Sequence, residues 1–183
     1  MTSFADARTA APTVFDPIAD RFHTTGLGLL ATLRRDGSPR ISPIEVTLAD
    51  GQLVVGMMPG SCKHLDLMRD PRACLLTPVA DRLDLGGEGK LFGRFLPMAD
   101  PDRAAAFLRS AAEAAGVGTE ELVGSPVFEL DVEAAAWQWV EGETFRTRSW
   151  SATGGRRERG RTGALGSVVD LDVDGAPGTL GAG

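Results

Sequence analysis

The chain has 183 residues, 43% hydrophobic and 24% charged, which is enough to bury a real core and ordinary for a globular protein. Its net charge of −6 speaks against a nucleic-acid-binding surface, because phosphate backbones demand basic faces. Two cysteines, Cys62 and Cys74, are too few for a disulfide framework, and no apolar run is longer than a strand, so no membrane-spanning helix is expected. With no secretory leader at its start, the sequence reads as cytoplasmic. Arginine outnumbers lysine 17 to 2, which we read as the codon bias of a GC-rich genome and not as chemistry.

Residues 1–13 are small and polar and read as a flexible N-terminus. Val14, Phe15, Ile18 and Phe22 then fall on roughly one face, predicting a short helix over 14–23. Residues 26–33 read as a first strand, and Asp36-Gly37 as a hairpin turn in which glycine takes positive φ without steric cost. Residues 40–48 return as a second strand. Asp50-Gly51 is a second turn signal, so 41–48 and 52–57 are predicted to pair as an antiparallel hairpin. Residues 52–57 are β-branched and apolar until Pro59-Gly60 breaks the run. Ser61 stands where a helix N-cap belongs. Leu65 and Met68, three apart, are expected to form the apolar face of a short helix that Asp70-Pro71 ends. Residues 73–77 resume as a strand.

Residues 80–87 read as a loop, with Gly86-Gly87 a flexible connection. Residues 88–98 form a fifth strand bent at Gly93. Asp100-Pro101 opens the one substantial helix, alanine-rich to Ala115 and ended near Gly116, with Phe107 and Leu108 on its apolar face. A helical turn at 119–122 precedes strands at 127–132 and 136–141. Glu141-Gly142-Glu143 then turns into a strand at 144–150. From Ser151 on, glycine, arginine and aspartate dominate without periodicity. The segment 154–183 is therefore read as a tail; Val168, Val169 and Leu171 are compatible with a last strand, but disorder or partner contact is favoured. The folded domain is bounded at 14–153. Many short strands and few helices predict a mainly β (α+β) fold, an antiparallel barrel with helical attachments.

The stretch around Ser61 and Lys63 concentrates chemistry. A helix opening with a hydroxyl and carrying an ammonium in its first turn offers a seat for a phosphate. The plainer reading of the same residues is a capped surface helix with a solvated lysine.

Gly60-Ser61-Cys62-Lys63-His64 followed by Arg69-Asp70-Pro71-Arg72 resembles the G-S-R-K…N-P-R-V segment of the pyridoxamine 5'-phosphate oxidase-like flavoproteins. Asp36-Gly37-Ser38-Pro39-Arg40 resembles the D-G-x-P-R hairpin of the same superfamily. The resemblance runs from about Phe22 to Trp150. It implies a split antiparallel β-barrel of about six to eight strands that binds FMN at a homodimer interface. It also implies cofactor-binding roles for Arg40, Gly56, Met57, Ser61, Cys62 and Lys63. Arg146 and Arg148 stand where the oxidases carry an R-x-H pair that holds substrate. Read from the residues alone, Arg40 flanks a hairpin, and Arg146 and Arg148 are alternate residues on the solvent face of a strand.

The departures from the family pattern matter. Cys62 replaces a common arginine, Glu45 stands at a lysine position of the oxidases proper, and Glu88 stands near a glutamine. Fewer cations and more carboxylates oppose a dianionic phosphate. A deazaflavin, or haem, is therefore the alternative cofactor, and pyridoxamine phosphate is not a secure substrate. Cys62-Lys63-His64 is too short for a zinc site, which needs about four ligands. His23 and His64 lack any nucleophile context. Trp137, Trp139 and Trp150 suit core or dimer packing. Hydride transfer by a flavin requires no side-chain acid or base, so no catalytic residue is nominated. Two function classes stay open: an oxidoreductase acting on a small molecule, and a non-catalytic flavin- or haem-binding module.

Overall fold

The computed structural model describes residues 1–79, 86–163 and 166–171. Helices α1 (Phe4–Ala10) and α2 (Pro12–Thr25) lead into strands β1 (Leu27–Leu33), β2 (Pro39–Glu45), β3 (Thr47–Ala49) and β4 (Gln52–Gly56). Helix α3 (Cys62–Arg69), β5 (Arg72–Leu76), β6 (Glu88–Pro97) and α4 (Pro101–Ala115) follow. A 3-10 turn (Thr119–Leu122) then precedes β7 (Val127–Glu141), β8 (Thr144–Ser151), β9 (Gly155–Thr162) and β10 (Val168–Leu171). All pairings among these strands are antiparallel, in the order β10-β9-β8-β7-β6-β5-β1-β2, with β3 on β4 and β4 on β7. The sheet does not close; it is a split barrel.

The core forms where α2 lies against the strands. Phe15, Ile18 and Phe22 are fully or almost fully buried with Leu30, Leu75, Leu91 and Phe95. The apolar spacing of α2 is what buries this face, and Gly26 ends the helix in the left-handed region at φ 64°.

The long strand β7 makes the split. From Phe128 to Gln138 it pairs with β6 on one edge. On the other edge its start pairs with β4 (Val55 opposite Phe128) and its end with β8 (Ala135 opposite Trp150). Between the two, the Val132 amide donates to the Thr2 carbonyl at 3.0 Å, and the Thr2 amide donates to Asp131 Oδ1 at 2.6 Å.

Several sequence expectations need correction. The first residues are not loose: Ser3 caps α1 by accepting from the Asp6 amide, and Phe4, 4% exposed, meets Phe15 edge-on at 5.4 Å. One aromatic anchor at helical spacing from Ala7 and Ala11 outweighed a polar composition. The predicted second strand breaks at Val46, whose amide donates to the Gly26 carbonyl. Only Thr47–Ala49 makes the hairpin with β4, while Pro39–Glu45 pairs with β1. The strands predicted at 127–132 and 136–141 are one: Ala134 pairs with Phe92 of β6 and Ser151 of β8, which overrides its weak strand propensity, and the Ala152 amide donates to the Glu133 carbonyl. The region after residue 153 holds β9, paired with β8 from Ser151 opposite Gly155 to Thr144 opposite Thr162, and then β10. Most of the loop expected at 80–87, and the tail beyond residue 171, lie outside the described residues. Among the described residues no helix is long and apolar enough to cross a membrane.

The bend expected at Gly93 is a bulge: the β6–β7 register shifts between Phe92 and Gly93. A Cβ on Gly93 would sit 2.0 Å from the Asp131 carbonyl oxygen, so only glycine fits without moving backbone. Gly93→Ala should therefore cost about 1–3 kcal/mol of stability. Urea unfolding checks this, and an unchanged midpoint would contradict it.

Candidate functional site

Three neighbouring hollows gather the candidate residues. The first, of about 340 Å³, is lined by Gly56, Met57, Lys63 and Glu45 together with Leu27 and Pro43. The β3–β4 hairpin carries Gly56 and Met57 to its wall, and the first turn of α3 supplies Lys63, whose Nζ donates to the Pro43 carbonyl at 3.0 Å. Ser61 occupies the N-cap position of α3, yet its hydroxyl makes no capping bond. Its oxygen is buried and without a partner. The opening amides of α3 have no partner within the helix, as at any helix start.

The second hollow, of about 660 Å³, holds Arg40 and Cys62 with Arg34, Arg35 and Arg69. Thus Gly56, Met57 and Lys63 share one hollow while Arg40 and Cys62 line the next. Ser61 lines none of the three hollows, and Arg40 and Lys63 line different ones. A third hollow, of about 620 Å³, shares Glu45, Gly56 and Met57 with the first and runs beneath α4.

Asp66 organises this region, and sequence reading missed it. Its side chain, 5% exposed, accepts from Arg40 Nε at 2.8 Å, Arg69 Nη2 at 3.1 Å and Thr32 Oγ1 at 2.9 Å. Arg69 also donates to the Leu33 carbonyl. Burial pushes the Asp66 carboxyl up, but the bonds from Arg40, Arg69 and Thr32 outweigh it and hold the group below its ordinary value. The same bond raises the Arg40 guanidinium. Asp66 and Leu67 face inward as a result, and Leu65 and Met68, expected as the apolar face, are 55% and 58% exposed. The i,i+3 pair Asp66–Arg69 was the available signal. On the exposed surface nearby, bonds from Arg72 hold Asp70 at about 2.

Arg146 and Arg148 lie apart from all three hollows. They are not solvated residues: both bind the fully buried carboxylate of Glu158 on β9, Arg146 Nη1 at 3.1 Å and Arg148 Nε at 2.7 Å. Glu141 adds a second carboxylate at 2.6 Å from Arg146 Nε, and the Arg148 guanidinium lies 4.9 Å from the Trp139 ring centre. Arg148 faces Glu158 in strand register, a cross-strand pair hidden by reading β9 as a tail. Trp137 and Trp150 are core residues, the latter edge-on to Phe15 at 5.5 Å.

This topology defines a split-barrel protein. The sequence pattern of the family described as pyridoxamine 5'-phosphate oxidase matches residues 15–138, and the chain belongs to that family. No curated protein matches it. Among solved structures it is similar to a haem-binding protein from Mycobacterium smegmatis, at 24% identity and TM-score 0.55, over 80% of this chain and 57% of that one. It is similar to PhzG from Burkholderia lata 383, solved in complex with tetrahydrophenazine-1-carboxylic acid, at 14% identity and TM-score 0.59, over 84% and 95% of the two chains. A protein of the pyridoxinephosphate oxidase family from Clostridium acetobutylicum, related to general stress protein 26, shares 10% identity over 74% and 92%, at TM-score 0.55. These likenesses establish the fold. The chain spans little more than half the length of the haem-binding protein.

Removing one partner of a buried ion pair leaves the others uncompensated, so Asp66→Ala should cost about 3–5 kcal/mol at neutral pH. Because the folded carboxyl lies below its unfolded value of about 3.9, its contribution is complete above that value and is lost as pH falls through the folded one. Urea midpoints of wild type and Asp66→Asn, measured from pH 6 downward, should converge only in acid. Parallel curves would show that Asp66 is uncoupled from folding.

Proposed function

We propose that the chain is a flavin-dependent oxidoreductase that binds FMN, or a deazaflavin, in the Lys63 hollow and acts on a small molecule. The observation that carries this is the unpartnered, buried Ser61 hydroxyl at the opening of α3, one residue from Cys62 and two from Lys63. A hydroxyl, free first-turn amides and an ammonium are the donors that an anionic phosphate requires. Gly56 and Met57 offer strand backbone and an apolar wall to a flat ring. A bound flavin would supply hydride transfer, and the residues here bind it, orient it and exclude water. Arg40 and Cys62 extend the seat from the adjoining hollow, Arg40 being held in place by Asp66. Arg146 and Arg148, whose charge Glu158 and Glu141 largely cancel, line none of these hollows, and the substrate role implied by family position is not carried into this reading.

The alternative is a non-catalytic flavin- or haem-binding barrel, favoured by the similarity to the haem-binding protein. The absorption spectrum separates them: a yellow protein bleached by a nicotinamide donor supports the enzyme, and a Soret band supports haem. We place the protein in the cytoplasm, where such donors are abundant.

The same reading makes the protein a homodimer. The outward face of β2-β1-β5-β6 carries Ile41, Ala31, Cys74 and Phe92 in one cross-strand row, with Ile41 69% and Phe92 42% exposed. The next row holds Pro43, Leu29 and Leu76. A second copy would cover this apolar face. Light scattering at micromolar concentration should return a dimer, and Ile41→Glu should shift it toward monomer. A wild-type monomer would refute the assembly.

A charge-assisted bond contributes roughly 1.5–3 kcal/mol, so Lys63→Ala should weaken FMN binding about ten- to a hundredfold. Cys62→Arg should tighten it. Fluorescence titration of FMN measures both, and equal affinities across wild type and variants would place the anion elsewhere.

A further inference from the structure

The hollow beneath α4 has a chemistry of its own. Helix α4 touches the barrel at few points. Arg103 binds the buried Glu129 at 2.8 Å, and the Phe107 ring lies over Gly56, where a Cβ would come within 3.1 Å of it. Ala112 is the one buried residue of the helix. The other alanines on the inner side are too short to reach the strands, and a cavity of about 620 Å³ remains between them. That volume lies within the range of small-molecule pockets.

The lining is apolar with a single charge. Phe107 and Leu108 form the helix wall, Met57 and Met58 the opposite one, and Leu122 lies at the far end. Thr25, Thr47 and Ser125 supply hydroxyl-bearing side chains. Among the described residues the one ionisable group on the wall is Glu45, and it also lines the Lys63 hollow. Lys63 lines the other hollow and donates to the Pro43 carbonyl, and Arg103 of α4 is paired with Glu129. A molecule entering beneath α4 therefore meets aromatic and thioether surface, hydroxyls and one carboxylate.

We propose that this cavity is the substrate pocket and that it selects flat apolar molecules with a positive or no charge over anionic ones. The proposal rests on reading the adjoining hollow as the flavin site, since Gly56 and Met57 form a floor common to both. Thioether and aromatic side chains adapt to flat rings. An anion placed against them would lose its hydration and face Glu45 without a counter-cation. The carboxylate at position 45 thus acts as a filter against the phosphorylated or carboxylated substrates that a lysine there would attract.

Three naphthalenes of similar size test this: 2-naphthylmethylamine, 2-naphthylmethanol and 2-naphthoate, titrated calorimetrically into the purified 183-residue protein at pH 7. The amine and the alcohol should saturate, and the naphthoate should bind about tenfold or more weakly than the amine. Glu45→Gln, a change at an exposed side chain, should bring amine and naphthoate within roughly threefold of each other and leave the alcohol unchanged. Phe107→Ala should weaken amine and alcohol alike. Naphthoate binding as tight as amine, no saturation by amine or alcohol at millimolar concentration, or indifference to Glu45→Gln would each overturn the proposal. FMN titration of the same samples keeps the two readings apart. Selective naphthalene binding without FMN binding would sink the flavin reading and leave the pocket's selectivity standing. FMN binding without naphthalene selectivity would do the reverse.

Discussion

A carboxylate shut away from water must be matched by donors held in fixed places, and Asp66 imposes that demand on three elements at once. Thr32 answers from β1, Arg40 from β2, and Arg69 from the helix that carries Asp66 itself. The helix cannot rotate without stranding the charge, so its orientation is set by electrostatics more than by apolar burial. That orientation turns Leu65 and Met68 outward and leaves Ser61 and Lys63 at the edge of the barrel, where the candidate cofactor hollow lies. Charge satisfaction also explains why arginine stands at position 40, whatever else that residue contacts.

The readable parts of the sequence were those where one local rule suffices. The cap and proline opening of α4, the glycine that ends it, and the alternating strands each follow from backbone chemistry within a few residues. The bend at Gly93 was visible for the same reason, although only the Asp131 carbonyl opposite explains why no side chain fits there. The errors share a different cause: they needed a partner far along the chain. The helix face of α3 was misassigned because Leu65 and Met68 look apolar; the i,i+3 spacing of Asp66 and Arg69 hints at a pair, but not at the partners 26 and 34 residues away that bury it. The segment after 153 looked like a tail because glycine and arginine dominate it, yet Glu158 pairs with two arginines on β8. Family resemblance recovered the barrel, but it could not say that Arg40 and Lys63 face neighbouring hollows.

Charge is distributed unevenly across the three hollows, and this asymmetry gives the region its directional character. Four arginines outweigh Asp36 and Asp66 in the first hollow, Lys63 and Glu45 balance in the second, and Glu45 alone is charged in the cavity under α4, so the formal charge of the lining falls from one hollow to the next. A ligand with an anionic end and a flat apolar end would be oriented by that gradient before any specific bond formed.

The gap on the edge of β7 has a kinetic meaning. Between the stretch paired to β4 and the stretch paired to β8, the Val132 amide is held by the carbonyl of Thr2 and by no strand. Its exchange with solvent deuterium is therefore governed by how often the first residues lift away, at whatever free energy that local opening requires. The amides of Leu130 and Ala135, on either side, answer to the integrity of the sheet. One strand thus carries two clocks, and the slower of them times the opening of the barrel itself.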